Sequence, residues 1–144
     1  MKNPLISVVT PSYNQGKFLE STLKSVLDQS YPHVEYIVID GGSTDESVEI
    51  LKRYDGKIDF WVSEKDNGQA DAINKGWRRA KGDILCFVNS DDELAPGALL
   101  KAAEAFESSS EIGFVYGDYT FVDEHGGFIG SRISKQVAFK DLVL

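Results

Sequence analysis

Three consecutive acids, Asp91, Asp92 and Glu93, close the segment DILCFVNSDDE that runs from Asp83 to Glu93. Adjacent carboxylates repel one another, and any that are half-buried also lose hydration. A hard divalent cation relieves both costs, because Mg2+ and Mn2+ take oxygen ligands and share their coordination with phosphate oxygens. The alternative is a solvated acidic loop ahead of a helix whose first turn opens at Pro96. Ile84, Leu85, Cys86, Phe87 and Val88 precede the acids as an unbroken apolar run, which predicts a strand covered on both faces. Cys86, the sole cysteine, reads there as a small core residue.

Two further residues have the chemistry to hold a nucleotide. Tyr13, in the loop PSYNQG, offers an aromatic face for a base, or else packs on the sheet edge. Asp40 can accept a ring N–H, or else cap its own Gly41-Gly42 turn. Neither a G-x-G-x-x-G turn nor a G-x-x-x-x-G-K-[ST] loop is present. A diphosphate in so acidic a pocket is therefore expected to be held through a cation rather than by a glycine-rich turn. Asp71, Asn74 and Arg78 share one polar helix face, either solvated or part of the site. Lys65 could reach a phosphate or stay a surface lysine. His33 and His125 have no spacing that suggests a ligand pair or a nucleophile's base, and Asp118, Asp123 and Glu124, near the hairpin, could approach the pocket but read better as surface decoration.

The elements that must position these groups alternate. Strands are expected at Ile6 to Thr10, closed by Pro11, at Val34 to Asp40, at Asp59 to Ser63 and at the apolar run before Asn89. Between them lie helical stripes: Leu19, Leu23, Val26 and Leu27; Val48, Leu51 and Tyr54; and Ala70, Ile73, Trp77 and Ala80. Ser43 with Glu46 fits a capping box for the second helix. A fourth helix covers Ala98 to Phe106, followed by strands at Ile112 to Tyr116 and Tyr119 to Val122. A hairpin through Gly126-Gly127 leads into Phe128 to Ile133, and Lys135 to Leu144 is ambiguous, with a further helix as one reading. Strict alternation predicts an α/β fold, a Rossmann-like and mostly parallel sheet flanked by helices. Ligands of such sheets sit beyond the carboxyl ends of the strands, where strand order reverses. Thr10 to Tyr13, Asp40, the loop after Ser63 and Asn89 to Asp92 would then share one edge.

With 144 residues, 42% hydrophobic and 26% charged, the chain suits a single soluble domain over 1–144. A net charge of −8 argues against nucleic-acid binding. No apolar run is long enough to span a membrane, and MKNPLISVV lacks a basic leader and cleavage site. A cytoplasmic setting is expected, with peripheral association at the inner face of the membrane as an extension of it.

The ordered segments ISVVTPSYNQGKFLESTLKSVLDQSYPHVEYIVIDGGSTDES and GQADAINKGWRRAKGDILCFVNSDDEL resemble the large inverting family-2 glycosyltransferases of GT-A fold, over roughly the first hundred residues. The resemblance implies transfer of a sugar, with inversion, from a nucleotide-diphosphate-sugar, UDP-linked by preference, to a sugar or glycolipid acceptor, as in polysaccharide or cell-wall biosynthesis. It implies Mn2+ or Mg2+ held by Asp91 with Asp92 beside it. Pro11 and Tyr13 would line the base and Asp40 would bond it. Thr10, Asp71, Asn89 and Asp91 complete the implied donor set. Asn89 stands where the family usually has an acid, so it brings hydrogen bonds but no charge. The family's acidic base pair and its Gln-x-x-Arg-Trp motif do not occur before Leu144. The expectation is thus a donor-binding half, its base beyond Leu144, with bare apolar surface able to drive a homodimer. Two other classes share the pattern. One is a nucleotide-sugar-binding domain without turnover. The other is a receiver-like phospho-acceptor domain, which would need an early acidic pair where this chain has Thr10-Pro11.

Overall fold

The computed structural model describes residues 2–134. The residues up to Ser110 form one compact unit and those from Glu111 a second. The ambiguous segment from Lys135 to Leu144 lies outside the described residues.

The first unit is built on four parallel strands, β1 (Ile6–Ser12), β2 (Val34–Asp40), β3 (Phe60–Ser63) and β4 (Ile84–Phe87), in the order β3-β2-β1-β4. Helices α1 (Gly16–Leu27), α2 (Ser47–Arg53) and α3 (Gln69–Arg79) make the crossovers, and α4 (Ala98–Ser108) follows β4. Successive right-handed crossovers from β1 to β3 put α1 and α2 on one face. The return past β1 to β4 puts α3 on the other. Leu19, Leu23, Val26, Ile50, Leu51, Leu99 and Ala103 accordingly pack with Ile6, Val8, Tyr36 and Val38, while Ala72 packs with Val9, Ile37 and Ile39.

Three local expectations need correction. Strand β1 does not stop at Pro11: it runs to Ser12, with Pro11 opposite Ile39 and Ser12 opposite Asp40. Pairing on the β4 side ends at Val9, so the missing N–H of Pro11 costs that side no ladder bond. The run before Asn89 is not covered on both faces. Ile84 and Val88 are buried, but Leu85 is 48% and Phe87 46% exposed: alternate side chains point to opposite faces, and the face that carries Leu85 and Phe87 is the less covered one. The buried line of α3 is Ala72 and Gly76 rather than Ala70, which is exposed. A Cβ on Gly76 would lie 2.4 Å from Val9 Cγ1, so the missing side chain lets α3 sit close on β1.

In the second unit β5 (Tyr119–Val122) and β6 (Phe128–Arg132) form the expected antiparallel hairpin. Asp123 closes its turn, accepting from the His125 and Gly127 N–H groups at 2.8 Å each, and Asp118 accepts from Ser134 N–H at 2.7 Å. The strand expected at Ile112 to Tyr116 does not form; those residues find no partner strand among the described residues.

Candidate functional site

Strand order reverses between β1 and β4, and parallel alignment puts all four carboxyl ends on one edge. Asp40 ends β2 there, fully buried. Its Oδ2 accepts from Gly42 N–H (3.2 Å), Ser43 N–H (2.9 Å) and Ser63 Oγ (2.6 Å), and its Oδ1 from Ser43 Oγ (2.5 Å). The carboxylate thus caps its own turn and ties it to β3. Gly42 holds φ +82, which a side chain would resist, and a Cβ on Gly41 would meet Asp66 Oδ2 at 2.9 Å. The capping box does not form. α2 starts only at Ser47, with Glu46 as the residue ahead of it and no side-chain cap, so Ser43 stands too far upstream to cap the helix.

The β1 loop rests on this turn. Asn14 (φ 53) donates its N–H to Ser43 Oγ at 2.8 Å and accepts from Thr44 N–H at 2.9 Å. Asp45 accepts from Gly16 N–H (2.8 Å) and Ser47 N–H (3.0 Å), the first residues of α1 and α2. Tyr13, 61% exposed, projects from the loop so held. Pro11 is buried in the strand. Thr10 has no exposed side-chain surface, as is true of Asp40, and its hydroxyl pairs with that of Tyr36 at 3.0 Å.

Beyond β4, Val88 N–H still bonds Val9 carbonyl at 2.9 Å, and Asn89 carbonyl then accepts from Asp92 N–H at 3.1 Å to close a turn. Asn89 Oδ1 accepts from Gln69 Nε2 (2.6 Å) and its Nδ2 donates to Asp92 Oδ2 (2.9 Å). Asp91, Asp92 and Glu93 are all exposed, so water relieves the expected repulsion and the fold itself needs no cation there. Among the described residues no three acidic, His or Cys side chains gather into a metal cluster. Asp91 and Asp92 are two adjacent exposed carboxylates at this edge. That oxygen donor set fits a Mg2+-type ion, which takes one or two carboxylates and completes its shell with phosphate and water.

On α3, Asp71 accepts from Asn67 N–H at 3.1 Å and lies 3.7 Å from Lys75 Nζ. The Asn67 N–H holds the Asp71 carboxyl below its ordinary value, against slight burial, with Lys75 and Arg78 adding to the effect. Lys75 also reaches Glu64 (3.2 Å) and Lys65 carbonyl (3.3 Å), so this cluster orders the loop after β3. Burial alone would lower the Lys75 ammonium, but Glu64, Asp71 and Asp66 raise it. Arg78 instead lines a groove of about 380 Å3 with Ile39, Phe60, Val62, Glu64, Lys75 and Arg79. Its apolar lining of Ile39, Phe60 and Val62 holds none of the candidate donor residues, and Arg79 stacks on Phe60 at 3.5 Å. Burial pushes the Cys86 thiol up to about 11, as expected of an inert packing residue. Asp45, Ser63 and Gln69 went unnoticed in the sequence. The G-S-T-D spacing carries a signal for Asp45, and nothing local marks Ser63 or Gln69.

The parallel sheet flanked by helices has the GT-A fold of the glycosyltransferase structures it aligns with. The chain belongs to glycosyl transferase family 2, whose pattern matches residues 7–136. It is 40% identical over 126 residues to TuaG of Bacillus subtilis, named as a teichuronic acid biosynthesis glycosyltransferase, covering 85% of this chain and 50% of TuaG. A Haemophilus influenzae glycosyltransferase of unassigned role is 36% identical over 132 residues, covering 90% of this chain and 52% of the relative. The chain thus spans about half the length of these curated relatives. Among solved structures, residues 1–349 of S. aureus TarS with UDP-GlcNAc align at TM-score 0.63 and 30% identity, over 72% of this chain and 31% of that one. The mannosyltransferase PcManGT of Pyrobaculum calidifontis, with GDP-Man and Mn2+, aligns at TM-score 0.67 and 25% identity, over 85% and 37%. No helix among the described residues is long and apolar enough to cross a membrane.

Proposed function

We propose that this chain is the donor-binding part of an inverting glycosyltransferase acting on a nucleotide-diphosphate-sugar, with UDP the favoured nucleotide. The observation that carries the reading is the single edge on which Ser12 pairs with Asp40, Asp40 with Ser63, and Gln69 with Asn89. Tyr13 is the stacking face for the base. Asp40 Oδ1, which accepts one hydrogen bond where Oδ2 accepts three, is the acceptor for a ring N–H. Pro11 backs the loop. Asn89, oriented by Gln69 and Asp92, presents its amide to ribose or phosphate. Asp71 acts at one remove, by ordering Asn67.

Asp91 and Asp92 would hold a Mn2+ or Mg2+ ion. When bound, such an ion offsets the negative charge that builds on a departing diphosphate. The acceptor hydroxyl attacks the anomeric carbon from the face opposite the diphosphate, the carbon–oxygen bond to the phosphate breaks, and the configuration inverts. A carboxylate takes the hydroxyl proton, and none of the donor-edge residues is given that role. The acceptor is read as a sugar or glycolipid of polysaccharide or cell-wall assembly, which the name of TuaG supports. UDP-GlcNAc on TarS and GDP-Man with Mn2+ on PcManGT support the donor class and the cation.

Calorimetry of UDP and GDP, with and without Mn2+, on wild type and Asp91→Ala tests the reading. Wild type should bind one of them with Mn2+, and Asp91→Ala should lose about tenfold or more in affinity only when Mn2+ is present. Equal heats from the two proteins would remove the metal role.

A further inference from the structure

Two loops far apart in sequence are joined beside the base-binding residues. From the first, Asn14 N–H donates to Ser43 Oγ, and Ser43 Oγ–H donates to Asp40 Oδ1. An unbroken chain of hydrogen bonds therefore links the residue after Tyr13 to the carboxylate of Asp40. From the second, the Asp45 carboxylate bridges Gly16 N–H and Ser47 N–H, holding both helix starts with one side chain. A Cβ on Gly16 would come within 2.5 Å of Glu46 Cγ, so that exposed side chain would have to move aside. The Tyr13 side chain is 61% exposed. Its position relative to Asp40 is set by the backbone that Ser43 and Asp45 hold.

We propose that Ser43 and Asp45 are positioning residues that set the spacing between Tyr13 and Asp40 and thereby the grip on the nucleobase, without touching the ligand's diphosphate. The proposal rests on the donor-binding reading above. It divides the edge into two halves. One is the base half, held by Ser43 and Asp45. The other is the phosphate half, Asn89 and Asp91, held by Gln69. A residue that merely stabilised the fold would weaken both halves together.

The test compares two probes on the full chain: a nucleoside diphosphate (UDP or GDP, whichever wild type binds) with Mn2+, and inorganic pyrophosphate with Mn2+. Ser43→Ala and Asp45→Ala should each raise the nucleotide Kd about tenfold or more, the loss of one or two charge-assisted hydrogen bonds. The pyrophosphate Kd should stay within about twofold, and Asp45→Glu should recover part of the nucleotide affinity. Parallel loss of both probes, or no change in either, overturns the proposal. If Asp45→Ala does not fold, Ser43→Ala, which keeps both helix caps, decides alone. Wild type that binds the nucleotide no better than pyrophosphate sinks the base-binding reading itself, whatever the variants do.

Discussion

Gln69 Nε2 donates to Asn89 Oδ1 at 2.6 Å, joining the first turn of α3 to the loop that follows β4. The bond fixes which way the Asn89 amide faces, since its nitrogen is then free to hold Asp92. Replacing Gln69 with Ala should weaken nucleotide–Mn2+ binding roughly twofold to tenfold, the worth of one net hydrogen bond. The bond is exposed, so thermal unfolding should barely move. Calorimetry beside a melting curve checks both halves of that statement.

Gly76→Ala sets two effects against each other. Alanine improves helix propensity by about 1 kcal/mol, while overpacking against a core costs about 1–3 kcal/mol. Val9 is fully buried and cannot retreat from a Cβ placed 2.4 Å from its Cγ1, so the clash should win. Urea denaturation should show a net loss of stability. A gain would mean α3 does not sit this close to β1.

Tyr36→Phe leaves the buried Thr10 hydroxyl without a partner and should cost about 1–3 kcal/mol. Adding Thr10→Val removes the orphan as well, and the double variant should recover much of the loss. Additive losses in a double-mutant cycle would show that the two hydroxyls do not interact.

Asp45 gives a pH signature. Partial burial raises its carboxyl, but the hydrogen bonds from Ser47 and Gly16 outweigh it and the folded value lies below the ordinary 3.8. A depressed carboxylate adds stability that is complete above its unfolded value and disappears as pH falls through the folded one. Wild-type stability should therefore drop as pH is lowered from about 5 to below 4, and Asp45→Asn should drop less over the same window. Identical slopes would mean that Asp45 is not held ionised by the two helix starts.

The crossover pattern was legible because it depends on local period. Val34 to Asp40 is a strand in both readings, since a β-branched run ending in an acid and two glycines has few other uses. The carboxyl-edge gathering of Tyr13, Asp40 and Asn89 to Asp92 followed from parallel connection alone. Local pattern misled in two places. Ser43 matched a capping box with Glu46, yet α2 starts at Ser47, and the Ser43 hydroxyl donates to Asp40 at the strand end. The apolar run Ile84 to Val88 looked enclosed because hydropathy reports the tendency to be buried and not the presence of a neighbour; the face of β4 that carries Leu85 and Phe87 turned out to be the less covered one.

The amino-acid order by itself determined the alternation of strands and helices, the turns at glycine, and the family resemblance, because all of these are written in short-range spacing. Tertiary structure decided which of those groups stay available. It paired the Thr10 hydroxyl with that of Tyr36, left Tyr13 in the open, and assigned Asp45 and Gln69 to hold neighbours that lie 29 and 20 residues away. Hydrogen-bond partners so distant in sequence are chosen by the approach of packed elements, and no local pattern contains that information.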